Sequence, residues 1–405
     1  MEKETAMAQN DRLEHAARFM FHVPPMDVGA QLCLENMKYG LAKMHFTQEA
    51  LGLTPNATFV ASPDVTVTIN SYRWQSGFGY GGKLAWGDGD TELMFLDTKP
   101  NCCGMFVGGL EKLPDKETLI CRSVAMKQES CEVEGIKIKW NLEKGNHFVD
   151  VFEVRSLDST VKLPPYAFMA HTSGSELKKE SHLGPGLYID SSKTLREWAE
   201  IVSTPYGAMH ILTGERAREY WQFYQIAEAF AQKRRKRAAE LLFEDFIILA
   251  NANHQGLVDM NTIALGINTW TEQPDDLLSP LALRPDLPAY LFKGVQNFSE
   301  EMLEKLGWQE RGRGFGVEHR LLNANMLPHG AGYNYPGWKS VLGVHDIDGR
   351  RFFEVKSRNG GGSEIITDLR NVPYEYRGKE IFSQTVELEL GIPVAELIPV
   401  YVLKI

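Results

Sequence analysis

The sequence predicts an α+β fold, a mixed or antiparallel sheet with helices between its strands. Three observations carry this reading. Short β-rich runs broken by Gly, Asp and Pro fill residues 57–154, one long amphipathic stretch occupies 216–243, and short strand-like runs return beyond it. With 36 glycines in 405 residues, turns are frequent and long helices few.

Taken in order, the runs TFVASPDVTVTI, TELMFLD, GIKIKWNLE and HFVDVFEV alternate or stay apolar over strand lengths, as a half-buried or buried strand requires. The helix follows. Tyr220, Phe223, Tyr224, Ala227, Phe230, Ala231, Ala238, Leu241 and Leu242 recur at steps of three and four, which places them on one core-facing stripe. Its basic run KRRKR, Lys233 to Arg237, reads as a solvated face before it reads as an RNA-facing patch. GINTW, AYLFKG, RRFFEVKS and PVAELIPVYVLKI are the later strands. No internal repeat, low-complexity tract or Pro/Ser-rich linker divides the chain, so residues 1–405 are expected to fold as one domain.

A net charge of -10 argues against a protein that coats nucleic acid without sequence preference, because phosphate neutralisation needs a basic face. A local basic groove stays open. MEKETAMAQNDRLEH lacks the apolar core of a signal peptide, and no run of about 18 or more apolar residues occurs, so no membrane partner and a cytoplasmic location are expected. Five cysteines without a CxxC pair fit neither a disulfide framework nor a zinc finger. GFGYGGKL, Gly77 to Leu84, matches a phosphate-binding loop in form but has Leu84 where a hydroxyl should hold magnesium. It reads as a glycine-rich loop.

Four segments share another format, an apolar run that ends abruptly in a polar or glycine turn carrying a metal donor. They are DTKPNCCGM (Asp97 to Met105), KGNHFVDV (Lys144 to Val151), FMAHTSGS (Phe168 to Ser175) and ILANANHQG (Ile248 to Gly256). Each alone reads first as buried filler. Together they offer one carboxylate, a thiolate and three imidazoles, a donor set suited to a two-metal site of Mn²⁺ or Zn²⁺ rather than to a Mg²⁺ or Ca²⁺ cage. A fifth segment, NMLPHGAGYNYPGW, sets His329 beside Gly330 and Gly332, where a phosphate could approach the backbone.

At these segments the chain resembles the RtcB family of RNA ligases. SPDV, NCCGM, GNHFVDV, AHTSGS, ANHQG, PHGAG and the close VPYEYRGKEIF … IPVYVLKI follow the family's motifs in the family's order. The resemblance implies a single large α+β catalytic domain and a pair of Mn²⁺ ions, with Zn²⁺ as the other ion the donors allow. Asp97, Cys103, His147, His171 and His254 would be the ligands, with Asn146, Asp150 and Lys404 holding GTP and His329 the nucleophile that takes GMP. It further implies transfer of that GMP to an RNA 3′-phosphate, opened from a 2′,3′-cyclic phosphate, and attack by a 5′-hydroxyl. The partners would be RNA ends, tRNA halves among them, and an archease-like activator.

Four positions depart from the family pattern. Pro100 stands where its metal aspartate lies, leaving Asp97 as the candidate; Thr66 replaces a histidine, Tyr333 an arginine and Asp150 a glutamate. Two other functions therefore stand beside the ligase: a metal-dependent phosphoesterase or nucleotide hydrolase, and a catalytically impaired homologue that binds RNA ends.

Overall fold

The computed structural model describes residues 2–143, 145–270 and 278–403, with side chains from residue 10. Its centre is an eleven-stranded sheet. The spatial order is Met20–Phe21, Thr58–Thr66, Tyr80–Ala85, Thr262–Leu265, Phe246–Asp259, Cys103–Leu110, Tyr166–Thr172, Phe148–Ser156, Gly391–Leu403, Ala289–Gly294 and Ser279–Leu281. Every neighbouring pair is antiparallel except the first. The fold is thus α+β with a large mixed sheet, as the pattern of strand-length runs implies.

The predicted helix is found over Gly214–Leu242, and it packs against the Cys103–Leu110 and Phe246–Asp259 strands. Its core stripe is Tyr220, Phe223, Tyr224, Ala227, Phe230, Ala231, Ala238 and Leu242, with Ala239 inward in place of the predicted Leu241. The basic run divides: Arg234 and Arg235 are fully buried, and Lys233, Lys236 and Arg237 pair with Glu134 and Glu240 on the surface. Arg234 is held by Glu176, Thr172, Lys139 O and Asn141. The run is therefore neither a wholly solvated face nor a basic patch.

Among the described residues two further helices of more than a dozen residues lie outside the sequence reading, Val28–Ala50 and Lys116–Gln128, besides the amino-terminal Glu2–Arg18. Val28–Ala50 is buried around most of its circumference, so it shows no amphipathic stripe. Three of its polar core residues donate to backbone carbonyls: Asn36 to Trp74 O, Lys43 to Ala208 O and Gln48 to Trp86 O. The glycine-rich GFGYGGKL is not a loop either. Tyr80–Ala85 is a sheet strand, and Lys83 donates to Ala324 O, so no phosphate-binding loop is formed. No helix among the described residues is long and apolar enough to cross a membrane.

Backbone packing around the Cys103 strand is close. A Cβ on Gly104 would lie 2.3 Å from Ala252 O and 2.7 Å from the guanidinium carbon of Arg235. Gly104→Ala should therefore destabilise the protein by about 2–3 kcal/mol, because a backbone carbonyl cannot yield as a side chain can. The midpoint of a guanidinium chloride titration checks this.

Candidate active site

Cys103, His171 and His254 come from three adjacent strands in the middle of the sheet. Met105 lies opposite His171, and Gln255, the residue after His254, lies opposite Cys103. Cross-strand register fixes the backbones and brings the side chains together. Cys103 Sγ is 3.1 Å from His171 Nε2, which is 3.3 Å from His254 Nε2. All three residues are buried.

This cluster can hold a metal ion. Two nitrogens on one tetrahedral ion sit about 3.3 Å apart, and a sulfur and a nitrogen about 3.5 Å, so the observed spacings need little adjustment. The tautomers fit as well. His171 Nδ1 lies 2.9 Å from Asn146 O and His147 Nδ1 3.0 Å from Asn141 O, so each ring donates through Nδ1 and keeps a lone pair on Nε2. Backbone carbonyls commonly orient metal-ligating histidines in this way. Burial, with the neighbouring imidazoles, holds His171 and His254 well below the ordinary histidine range, so both are neutral donors. Burial pushes the Cys103 thiol up to about 11 against the pull of Arg235, so its deprotonation calls for a cation beside it. His147 stands next to the cluster, its ring centroid 5.5 Å from that of His171.

The cluster opens on a cavity of about 330 Å³, which His147, Asn146, Asp150, Gln255 and His329 also line. His329 follows the Met326–Pro328 strand, with its ring centroid 4.2 Å from that of His254. The nucleophile candidate and the metal cluster therefore share one wall.

Asp64 holds His329, a role that sequence reasoning missed. It is buried at the end of the Thr58–Thr66 strand, and its Oδ2 accepts from His329 Nδ1 at 3.1 Å and from His329 N at 3.2 Å. The carboxylate fixes the proton on Nδ1 and leaves Nε2 as the lone-pair nitrogen. SPDV was legible as a strand end, but nothing in it marks a partner 265 residues away. Gln255 was missed too: its side-chain oxygen and nitrogen are buried on the cavity wall without a hydrogen-bond partner among the described residues.

Thr66, two residues on, accepts from Tyr333 N at 2.8 Å and donates to Tyr333 O at 3.1 Å. Tyr333 itself packs against Tyr374 and Tyr376, with centroids 4.7 and 5.4 Å away. Gly332 has φ +70°, and a Cβ there would lie 2.8 Å from Asp64 O. Its glycine serves this close approach of two chain segments rather than open space for a phosphate.

Asp97 is placed elsewhere. It accepts from Tyr72 Oη at 2.6 Å, His210 N at 2.9 Å and His210 Nδ1 at 3.0 Å, and it neither joins the cluster nor lines the cavity. Left-handed turns at Lys99 and Cys102, each with φ 52°, separate it from Cys103. Asp97 is thus corrected from metal ligand to structural carboxylate. Lys404 lies outside the described residues.

Burial raises the Asp97 carboxyl, but the His210 and Tyr72 hydrogen bonds and the Lys43 charge together bring it below its ordinary 3.8. The hydrogen bond to Asp97 raises His210 above 6.5 against its partial burial. The carboxylate's contribution to stability is present above 3.8 and lost as pH falls through its depressed value. The imidazole's is present below 6.5 and lost as pH rises through its raised value. Asp97→Asn should therefore lower the melting temperature most between about pH 4 and 6.5, an effect that thermal melts across that range would show.

The chain matches no family model and no curated protein.

Proposed function

We propose that the chain is an RtcB-like, GTP-dependent RNA ligase that joins an RNA 3′-phosphate or 2′,3′-cyclic phosphate to a 5′-hydroxyl through a guanylylated His329. The observation that carries this reading is the shared wall, where a histidine held as its Nδ1 tautomer by a buried carboxylate stands against a Cys–His–His donor set. Phosphoryl and nucleotidyl transfer needs mainly positioning and charge neutralisation.

Cys103, His171 and His254 would hold a Mn²⁺ ion, with His147 beside them for a second; Zn²⁺ suits the same donors. When bound, the ions neutralise phosphate charge and polarise the bonds that break. His329 Nε2 attacks the α-phosphorus of GTP and pyrophosphate leaves, while Asp64 keeps the Nδ1 proton and stabilises the charge that develops on the ring. A 3′-phosphate oxygen then takes the guanylyl group and frees His329. Attack by the 5′-hydroxyl on the activated 3′-phosphate releases GMP and completes the join. Asn146 and Asp150 line the cavity and are the contacts this reading assigns to the nucleotide.

The Asp64–His329 pair also supports a second reading, a metal-dependent phosphoesterase in which His329 removes a proton from water. One assay separates them. A labelled RNA 3′-phosphate is mixed with a 5′-hydroxyl RNA, GTP and Mn²⁺; a joined product that requires all four supports the ligase. Release of inorganic phosphate without joining supports the hydrolase.

A further inference from the structure

Tyr80 lines the same cavity as His329 and the metal cluster, and its oxygen is held by a buried guanidinium. A Cβ on Gly266 would lie 3.1 Å from both His329 Cε1 and Tyr80 Cδ1, so the two rings flank the same glycine. Arg73 Nη1 donates to the Tyr80 oxygen, and the guanidinium lies over the Tyr80 ring at 4.7 Å. Arg73 Nη2 donates to Lys99 O, and Nε is buried without a partner among the described residues.

Two features of this pair call for a ligand. Arg73 is 2% exposed and makes no ion pair among the described residues; Arg235 and Arg351 are also buried without one, but only Arg73 donates to a phenol that lines the cavity. The adjacent Lys99 takes Asp190 at 2.7 Å, so that carboxylate is already engaged. A buried, uncompensated cation is costly unless an anion joins it. The Tyr80 hydroxyl, moreover, accepts from Arg73 and has no acceptor for its own proton among the described residues. A phenol polarised by a guanidinium is a strong donor, because each hydrogen bond strengthens the next, and Tyr80 lines the cavity.

We propose that Tyr80, backed by Arg73, is an anion-binding pair of this cavity that donates to a phosphate oxygen of the bound ligand. On the nucleotidyl-transfer reading, on which the ligand's identity rests, that oxygen belongs to the triphosphate of GTP. The pair then brings positive charge to the His329 wall from α-helical residue 73, although position 333 carries a neutral tyrosine.

The test is calorimetric titration of the metal-free full chain with inorganic tripolyphosphate. Wild type should bind it, and Tyr80→Phe, which removes one oxygen and keeps the ring, should bind about 10- to 100-fold more weakly. Arg73→Gln should weaken binding at least as much; if it does not fold, Tyr80→Phe decides alone. Equal affinity in wild type and Tyr80→Phe, or no binding by wild type, overturns the proposal. Tripolyphosphate binding without guanylylation of His329 would leave the anion site standing and remove the nucleotidyl-transfer reading. Guanylylation with unaltered binding in Tyr80→Phe would do the reverse.

Discussion

Asparagine in place of Asp64 is expected to slow guanylylation of His329 by about 10³- to 10⁴-fold, the scale seen when a histidine loses the carboxylate that fixes its tautomer. The two side chains are nearly the same size, so the buried site stays filled. What changes is the hydrogen bond. The amide can present an N–H to His329 Nδ1, which moves the ring proton to Nε2 and removes the attacking lone pair. Single-turnover incorporation of labelled GMP measures the rate, and circular dichroism confirms that the fold persists. A rate within tenfold of wild type would mean that the 3.1 Å contact between Asp64 and His329 does not set the tautomer.

Removal of Cys103 or His171 should have the second large effect. Each supplies one of three donors in the buried cluster, and losing either should weaken metal binding by more than the roughly 10- to 100-fold that follows loss of an outer orienting group. Metal content of Cys103→Ala and His171→Ala, measured by elemental analysis after dialysis against Mn²⁺ or Zn²⁺, should fall close to background. Asp97→Asn serves as the internal comparison. Its carboxylate is committed to Tyr72 and His210, so that variant should keep its metal.

The ligand-bearing segments were legible because an imidazole or thiol beside an apolar run breaks the pattern of a buried strand, although only His171 lies at the close of its strand, Cys103 opening one and His254 lying within another. Cys103, His171 and His254 were recovered on that signal, and the sheet register explains their convergence. Asp97 was misplaced because spacing along the chain does not reveal the left-handed turns at Lys99 and Cys102. Asp64 and Gln255 were missed for the opposite reason. Their sequence neighbourhoods look like ordinary strand, and their importance comes from groups far along the chain or from the cavity they face. The helix Val28–Ala50 escaped notice because its burial erases the polar face that periodicity needs.

Tyr333 and Thr66, two positions at which the resemblance is incomplete, are joined in the structure. Thr66 holds both the N–H and the carbonyl of Tyr333, which positions the turn carrying His329. The two side chains therefore act as one packed unit, with Tyr374 and Tyr376 completing it.

The central claim is that His329 carries GMP, and intact-protein mass measurement tests it most directly. Incubation with GTP and Mn²⁺, followed by denaturation, should add the mass of one guanylyl group, lost in acid and absent from His329→Ala. Wild type that gains no such mass at any metal or pH tried, or His329→Ala that still gains it, would contradict the account.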